Sequence, residues 1–179
     1  TKGRAMQNLI NIEQDDSVKA FLVTEDLKDE EYINSHYIIM ATKKGQVKKT
    51  SLEQYSRPRL NGINAITIKE GDELLEAKLT NGKSQVMLAL KSGKSIRFEE
   101  AKTRPMGRTA SGVRGITLQH DKDEVIGMVA VDDMNSDILV VSEKGYGKRS
   151  SVEDYRITNR GGKGVKTLNI SEKTGNLVA

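Results

Sequence analysis

Cysteine is absent from the 179 residues, which excludes disulfide staples and thiolate metal sites and suits a reducing cytoplasm. Tryptophan is absent too, and aromatics amount to only 4%. Single-stranded nucleic acid is held largely by stacking on aromatic rings, so that mode of binding is disfavoured. No apolar run approaches membrane-spanning length and no signal peptide is visible, so no membrane partner is expected. The only histidines, His36 and His120, lie far apart and outside any metal-ligand spacing. Asp15-Asp16 and Asp132-Asp133 fall at expected turns, where side-chain capping accounts for them. Residues 160–164, RGGKG, lack the spacing of a nucleotide-binding loop and the Ser/Thr after its lysine. No catalytic or metal site is legible. The chain opens on Thr1 without a methionine and stops within an apolar run, so it reads as a piece of a larger protein.

What is present is a segregated charge. Residues 43–62 carry six basic and one acidic side chain, residues 91–115 seven and two, and residues 143–166 seven and three. These blocks have a net charge of +14 and the remainder −10, which the overall +4 conceals. Three basic blocks on an acidic background are the footprint of a polyanion-binding surface.

The blocks recur because the sequence repeats. Gly62-Ile63-Asn64-Ala65-Ile66-Thr67-Ile68, Gly112-Val113-Arg114-Gly115-Ile116-Thr117-Leu118 and Gly164-Val165-Lys166-Thr167-Leu168-Asn169-Ile170 share one pattern, ending in the apolar-polar-apolar alternation of a half-buried strand. Ile10-Asn11-Ile12 reads as the tail of an earlier copy. Spacings of 56, 50 and 52 residues separate Ile10, Ile66, Ile116 and Leu168, a period suited to propeller-like blades. The expected units are a preceding tail at 1–17, then 18–68, 74–118 and 125–170, with 171–179 starting the next.

Each unit is expected to hold four strands. An acidic turn (13–17, 69–73, 119–124) precedes a first strand at 18–24, 74–80 or 125–131. A more continuously apolar strand follows at 37–42, 85–90 or 138–142, with burial on both faces implied. A glycine turn at Gly45, Gly93 or Gly145 leads to a third strand carrying Lys48 and Lys49, Arg97, or Lys148 and Arg149. The closing strand is the one in the repeat above. An insertion at 25–36 in the first unit is expected to be a solvated loop with a short helical turn. Tyr55 and Tyr155, each ten residues beyond a turn glycine, are expected to pack beneath the long loop.

That loop precedes the closing strand and holds Arg57 and Arg59 in the first unit, Arg104, Arg108 and Arg114 in the second, and Arg156, Arg160, Lys163 and Lys166 in the third. In the second and third units the last of these reaches into the strand. Guanidinium forks fit phosphate oxygens, and neighbouring glycines let backbone amides approach as well. Strand and loop cations together would form a basic rim that binds duplex DNA by its backbone and bends it. A propeller-like module whose basic loops meet acidic proteins is the alternative from a different class.

Three elements carry a resemblance: Thr42-Lys43-Lys44-Gly45, residues 107–116 (GRTASGVRGI), and Asn159-Arg160-Gly161-Gly162-Lys163-Gly164-Val165. They resemble the C-terminal domain of the bacterial DNA gyrase A protein, over essentially the whole chain. The resemblance implies an all-β, propeller-like β-pinwheel of four-stranded blades that exchange strands, here about three blades plus part of a preceding one. It implies DNA wrapped on the rim, in support of ATP-dependent negative supercoiling by a cytoplasmic, nucleoid-associated holoenzyme. The implied partners are duplex DNA, the dimeric remainder of gyrase A, and gyrase B. ATP and Mg are implied for the holoenzyme and no cofactor for this chain. The corresponding domain of topoisomerase IV is a near relative with the same implied architecture.

Overall fold

The computed structural model describes residues 3–4, 10 and 15–179. In chain order the strands are β1 (Tyr37–Thr42), β2 (Gln46–Ser51), β3 (Leu74–Thr80), β4 (Gln85–Leu90), β5 (Lys94–Glu99), β6 (Val113–Arg114), β7 (Val125–Val131), β8 (Asp137–Val141), β9 (Gly147–Ser151) and β10 (Val165–Lys166). The hairpins β1–β2, β4–β5 and β8–β9 turn at Gly45, Gly93 and Gly145, all at positive φ. One helix, α1 (Glu30–Ser35), lies in the insertion; Asp29 caps it by accepting from the Glu31 and Tyr32 amides, and Ile33 anchors it to the core.

Blades and sequence units do not coincide. The first sheet has the order β3-β1-β2-β6, so the hairpin of the first unit is flanked by two strands of the second. The next sheet, β10-β5-β4-β7, repeats this one unit later. Each unit thus keeps its hairpin and gives its first and closing strands to the blade before it. The chain's last residues follow the same rule, running alongside β8: the Val178 and Ala179 amides donate to Val141 O, and the Val141 amide donates to Ala179 O. The acidic turns cap the hairpin turns in the same sense: Asp72 accepts from the Lys44 amide at 2.9 Å and Asp123 from the Ser92 amide at 3.0 Å.

The exchange accounts for three departures from expectation. Residues 18–24 and 62–68 are not strands, because among the described residues no hairpin lies before them to pair with. Residues 18–24 still pack by alternation, Ala20 and Leu22 inward against Ile38, Met40 and Leu52, with Phe21 and Val23 outward. The third hairpin is not buried on both faces as β1 and β4 are; Leu139 is 63% exposed, since among the described residues no further blade lies against it. Asp132 accepts from the Ser84 hydroxyl at 2.5 Å and does not act as a local cap, whereas Asp133 does cap, at the Asn135 amide. Of the preceding-copy tail expected at 1–17, with its acidic turn, residues 1–2, 5–9 and 11–14 lie outside the described residues.

The core lies between blades. Ile39, Ala41 and Val47 of the first blade meet Val86, Leu88, Ile96 and Phe98 of the second, with Ile116 and Val125 at the seam. A second interface joins Met87 and Val131 to Val152 and Tyr155. Among the described residues no helix is long and apolar enough to cross a membrane.

The repeated second glycine is required where a hairpin receives the next unit. A Cβ on Gly112 (φ +90) would lie 2.4 Å from Val47 O, and on Gly164 (φ +72) 2.5 Å from Ser95 O. Gly62 has the same sign of φ with nothing within 4 Å. Gly112→Ala and Gly164→Ala should therefore lower the urea midpoint well beyond Gly62→Ala, whose cost is the left-handed backbone alone, about 1–2 kcal/mol. Equal losses at all three positions would mean that close approach to the neighbouring strand is immaterial.

Candidate nucleic-acid interface

The third-strand cations of the first two hairpins are not a surface. Lys48 is fully enclosed, Lys49 is 4% exposed and Arg97 is 6% exposed, which corrects their expected place on a DNA-binding rim. Successive residues of β2 point to opposite faces, and a sheet sandwiched between layers buries both. Lys49 forms an ion pair with Glu100 at 2.8 Å and sits 4.0 Å from the centre of the Tyr37 ring. Glu100 also accepts from the Thr80 hydroxyl at 2.8 Å and the Ser84 amide at 3.2 Å, so its charge is well compensated. Arg97 fills the equivalent slot one blade on, donating to Val152 O at 2.6 Å, Tyr155 O at 2.8 Å and Gln85 Oε1 at 2.5 Å. The two slots solve one problem differently: the lysine needs a carboxylate, whereas the arginine's fork is satisfied by carbonyls of the next unit's 3-10 turn, Val152–Asp154, and its C-cap Tyr155.

Lys48 donates to Ala65 O at 2.5 Å and to Arg108 O, joining two successive loops. Burial, and then the Arg108 charge, push its ammonium down to about 8. The equivalents in the third hairpin, Lys148 and Arg149, are exposed; Arg149 contacts Asp137 at 3.3 Å.

The long loops are threaded along the hairpin edges. Beyond each 3-10 turn the chain runs beside the preceding hairpin: Met106 donates to Lys49 O at 2.8 Å and Thr158 to Arg97 O at 2.9 Å. It then leaves the edge and returns as β6 or β10. The excursion, residues 107–112 or 159–164, is the glycine-basic loop. Its crest bonds back to the previous closing segment, through Thr67 to Thr109 O at 2.6 Å and Thr117 to Gly161 O at 2.7 Å. The tyrosines close the loops as expected: Tyr155 bonds Thr167 at 2.5 Å and Tyr55 bonds Ala65 O at 3.3 Å.

Two loop arginines are partly structural. Arg108 donates to Asn64 O at 3.3 Å, and Arg160, at the equivalent position, donates to Arg114 O and Lys102 O, each at 3.0 Å. Both are half-buried. Arg57, Arg59, Arg104, Arg114, Arg156, Lys163 and Lys166 are exposed, and none of them forms an ion pair among the described residues. Glu100 escaped the sequence reading. Its signal was an acid inside a basic block, where the other units have Leu52 and Val152. Ile96 likewise marks the position of Lys48 as inward-facing.

The family described as DNA gyrase C-terminal domain, beta-propeller, matches residues 36–81, 86–132 and 136–179. The first two segments each start at or beside a hairpin and run through the next unit's first strand, and the third runs on to the terminal pairing beside β8. The DNA gyrase A protein of Staphylococcus epidermidis is 44% identical over 99% of this chain and 20% of its own length, and that of Staphylococcus aureus 43% over the same shares. The chain therefore spans about a fifth of the curated relatives it matches. Among solved structures, the C-terminal domain of DNA topoisomerase IV superposes with a TM-score of 0.86 at 23% identity, covering 98% of this chain and 53% of that one. The DNA gyrase A C-terminal domain does so with 0.84 at 22%, covering 99% and 57%. At those identities the likeness is one of fold.

Two outcomes test the buried cations. Lys49→Ala should cost about 3–5 kcal/mol in urea unfolding by stranding Glu100, against about 0.5 kcal/mol or less for exposed Arg59→Ala; similar small losses would refute the buried pair. Between about pH 8 and its ordinary value the unfolded chain keeps a proton on Lys48 that the folded chain has released. The wild type should therefore gain stability relative to Lys48→Met as pH rises through that window. A constant difference would contradict the lowered value.

Proposed function

The chain belongs to the DNA gyrase C-terminal β-propeller family, and from that premise we propose that it binds duplex DNA without sequence specificity and bends or wraps it along the loop-bearing hairpin edges. The observation that carries this is the set of exposed, unpaired cations on equivalent loops of successive units, Arg57 and Arg59, then Arg104 and Arg114, then Arg156, Lys163 and Lys166. The second and third loops are each fixed to a strand edge at both ends, so their cations recur with the blade spacing and can follow a curved backbone. Phosphate neutralisation at each step releases counterions, and a bent path brings more phosphates within reach. Because contacts are to the backbone, position and curvature are set without base reading.

Lys48, Lys49 and Arg97 take the role of spacers in this reading, setting the separation of the loops from within. Lys148 and Arg149 occupy the same two positions of the repeat in the third hairpin, so they are not counted among the DNA contacts. Arg108 and Arg160 use part of their guanidinium groups on neighbouring carbonyls and present the rest.

In the larger protein, the proposed role is to deliver a curved DNA segment to the strand-passage machinery and so bias it towards negative supercoiling. The dimeric remainder of gyrase A, gyrase B, ATP and Mg belong to that assembly, in the cytoplasm on the nucleoid. The chain's own share is binding and geometry, with no cofactor. Identity with gyrase A relatives supports this assignment over topoisomerase IV.

Titration of linear duplexes of increasing length, at several salt concentrations, tests the reading. If about six cations meet phosphates, log K should fall against log salt with a slope of about −5. Affinity should rise with duplex length, and ligation of nicked circles in the presence of the chain should shift linking number. Weak, length-independent binding at low salt would overturn the proposal in favour of acidic protein partners.

A further inference from the structure

The first two loops face each other across a cavity of about 440 Å³ lined by Arg57, Arg59 and Arg108 together with Ser56, Gln54 and Glu53. Its three arginines come from two units. Arg57 and Arg59 flank Pro58, whose ring fixes the local backbone and limits the freedom of the pair. Arg108 is held from behind: its amide donates to Gln54 Oε1 at 3.1 Å and its guanidinium to Asn64 O at 3.3 Å, one fork arm being engaged. Although Glu53 lines the cavity, it pairs with none of the arginines among the described residues; its backbone carbonyl accepts from Ser56.

Three arginines against the single acid Glu53 leave the field here net positive, and a second group senses it. Beneath the cavity, the ammonium of Lys48 donates to the carbonyl of Arg108, and the Arg108 charge adds to burial in holding that ammonium down. Such an environment favours an anion with several acceptor oxygens. The larger polar cavity at the hairpin turns, about 690 Å³, differs in kind: Lys43, Lys44 and Lys122 there face four acids, Glu73, Asp121, Asp123 and Glu124. That cavity has no excess of positive charge.

Resting on the DNA reading above, we propose that the three-arginine cavity is a seat for a phosphate oxyanion, filled on DNA by one backbone phosphodiester. The exposed cations elsewhere act as a diffuse rim. This seat is a discrete point of attachment, fixing where the duplex enters the first two units. Phosphate oxygens accept from Arg57 and Arg59 on one side and from the free donors of Arg108 on the other, bridging the two units.

The test follows the arginine Nε–H resonances of the full chain during titration with inorganic phosphate, and separately with a short duplex, in three proteins: the wild type, Arg57→Ala/Arg59→Ala, and Arg156→Ala/Lys166→Ala. All four substituted residues are exposed, and the folded spectrum of each variant checks its integrity. The seat predicts saturable phosphate shifts at Arg57, Arg59 and Arg108 in the wild type and in the second variant. In the first variant the Arg108 shift should be lost, and the salt slope for DNA should shrink by about 2. Phosphate shifts spread evenly over all exposed arginines, or a duplex bound with Arg108 unmoved, would overturn the seat while leaving DNA binding standing. Saturable phosphate binding at the three arginines with no duplex binding would uphold the seat and defeat the DNA reading.

Discussion

Backbone hydrogen bonding along the outer edges of β2 and β5 is the constraint on which the structure depends. A hairpin with a bare edge is an incomplete sheet, and each is completed by the unit that follows it. The consequence reaches single atoms. Gly112 and Gly164 must lack a side chain because the returning chain lies against a carbonyl of the hairpin it completes. The loops stand out from the edge because their two ends are pinned to it, at Met106 and β6 in one case and at Thr158 and β10 in the other. The same exchange makes the core an inter-blade property, so one unit's apolar residues are enclosed only when its neighbours are present.

Charge follows from that architecture in two populations. Cations on the third strand point into the sandwich and are satisfied by the next unit, through Glu100 for Lys49 and through carbonyls for Arg97. Cations on the loops, apart from Arg108 and Arg160, face outward and form no ion pair among the described residues. The first population costs desolvation and is compensated locally; the second keeps its field for a ligand. Lys148 and Arg149 show what decides between the two. They occupy the inward positions of the repeat, yet among the described residues nothing is stacked on that hairpin and they are exposed.

Much of the fold was legible because strand alternation and turn glycines are local signals. The hairpins at Gly45, Gly93 and Gly145 and the repeat in its closing strand could be read directly. Which hairpin a closing strand joins is not local: Val113 pairs with Val47 across more than a unit of sequence, and only the resemblance implied it. The site was half legible for a related reason. Arg57 or Arg104 on a loop and Lys49 on a strand look alike as positive residues, and burial separates them only after blades stack. Ile96 at the position of Lys48, and Glu100 within a basic block, were the traces of that burial. The cavity joining Arg57 and Arg59 to Arg108 could not be read at all, since it exists only where two units meet.

Native-state hydrogen exchange of the Met106, Thr158 and Gly115 amides tests the central claim that each loop belongs structurally to the blade before its own. These amides donate to Lys49 O, Arg97 O and Gly45 O. They should exchange with free energies close to those of the β2 and β5 amides they border, as one cooperative unit. Exchange many orders of magnitude faster, with β2 and β5 still protected, would mean that the loops only rest against the hairpins, and the account of a threaded, edge-completing repeat would be wrong.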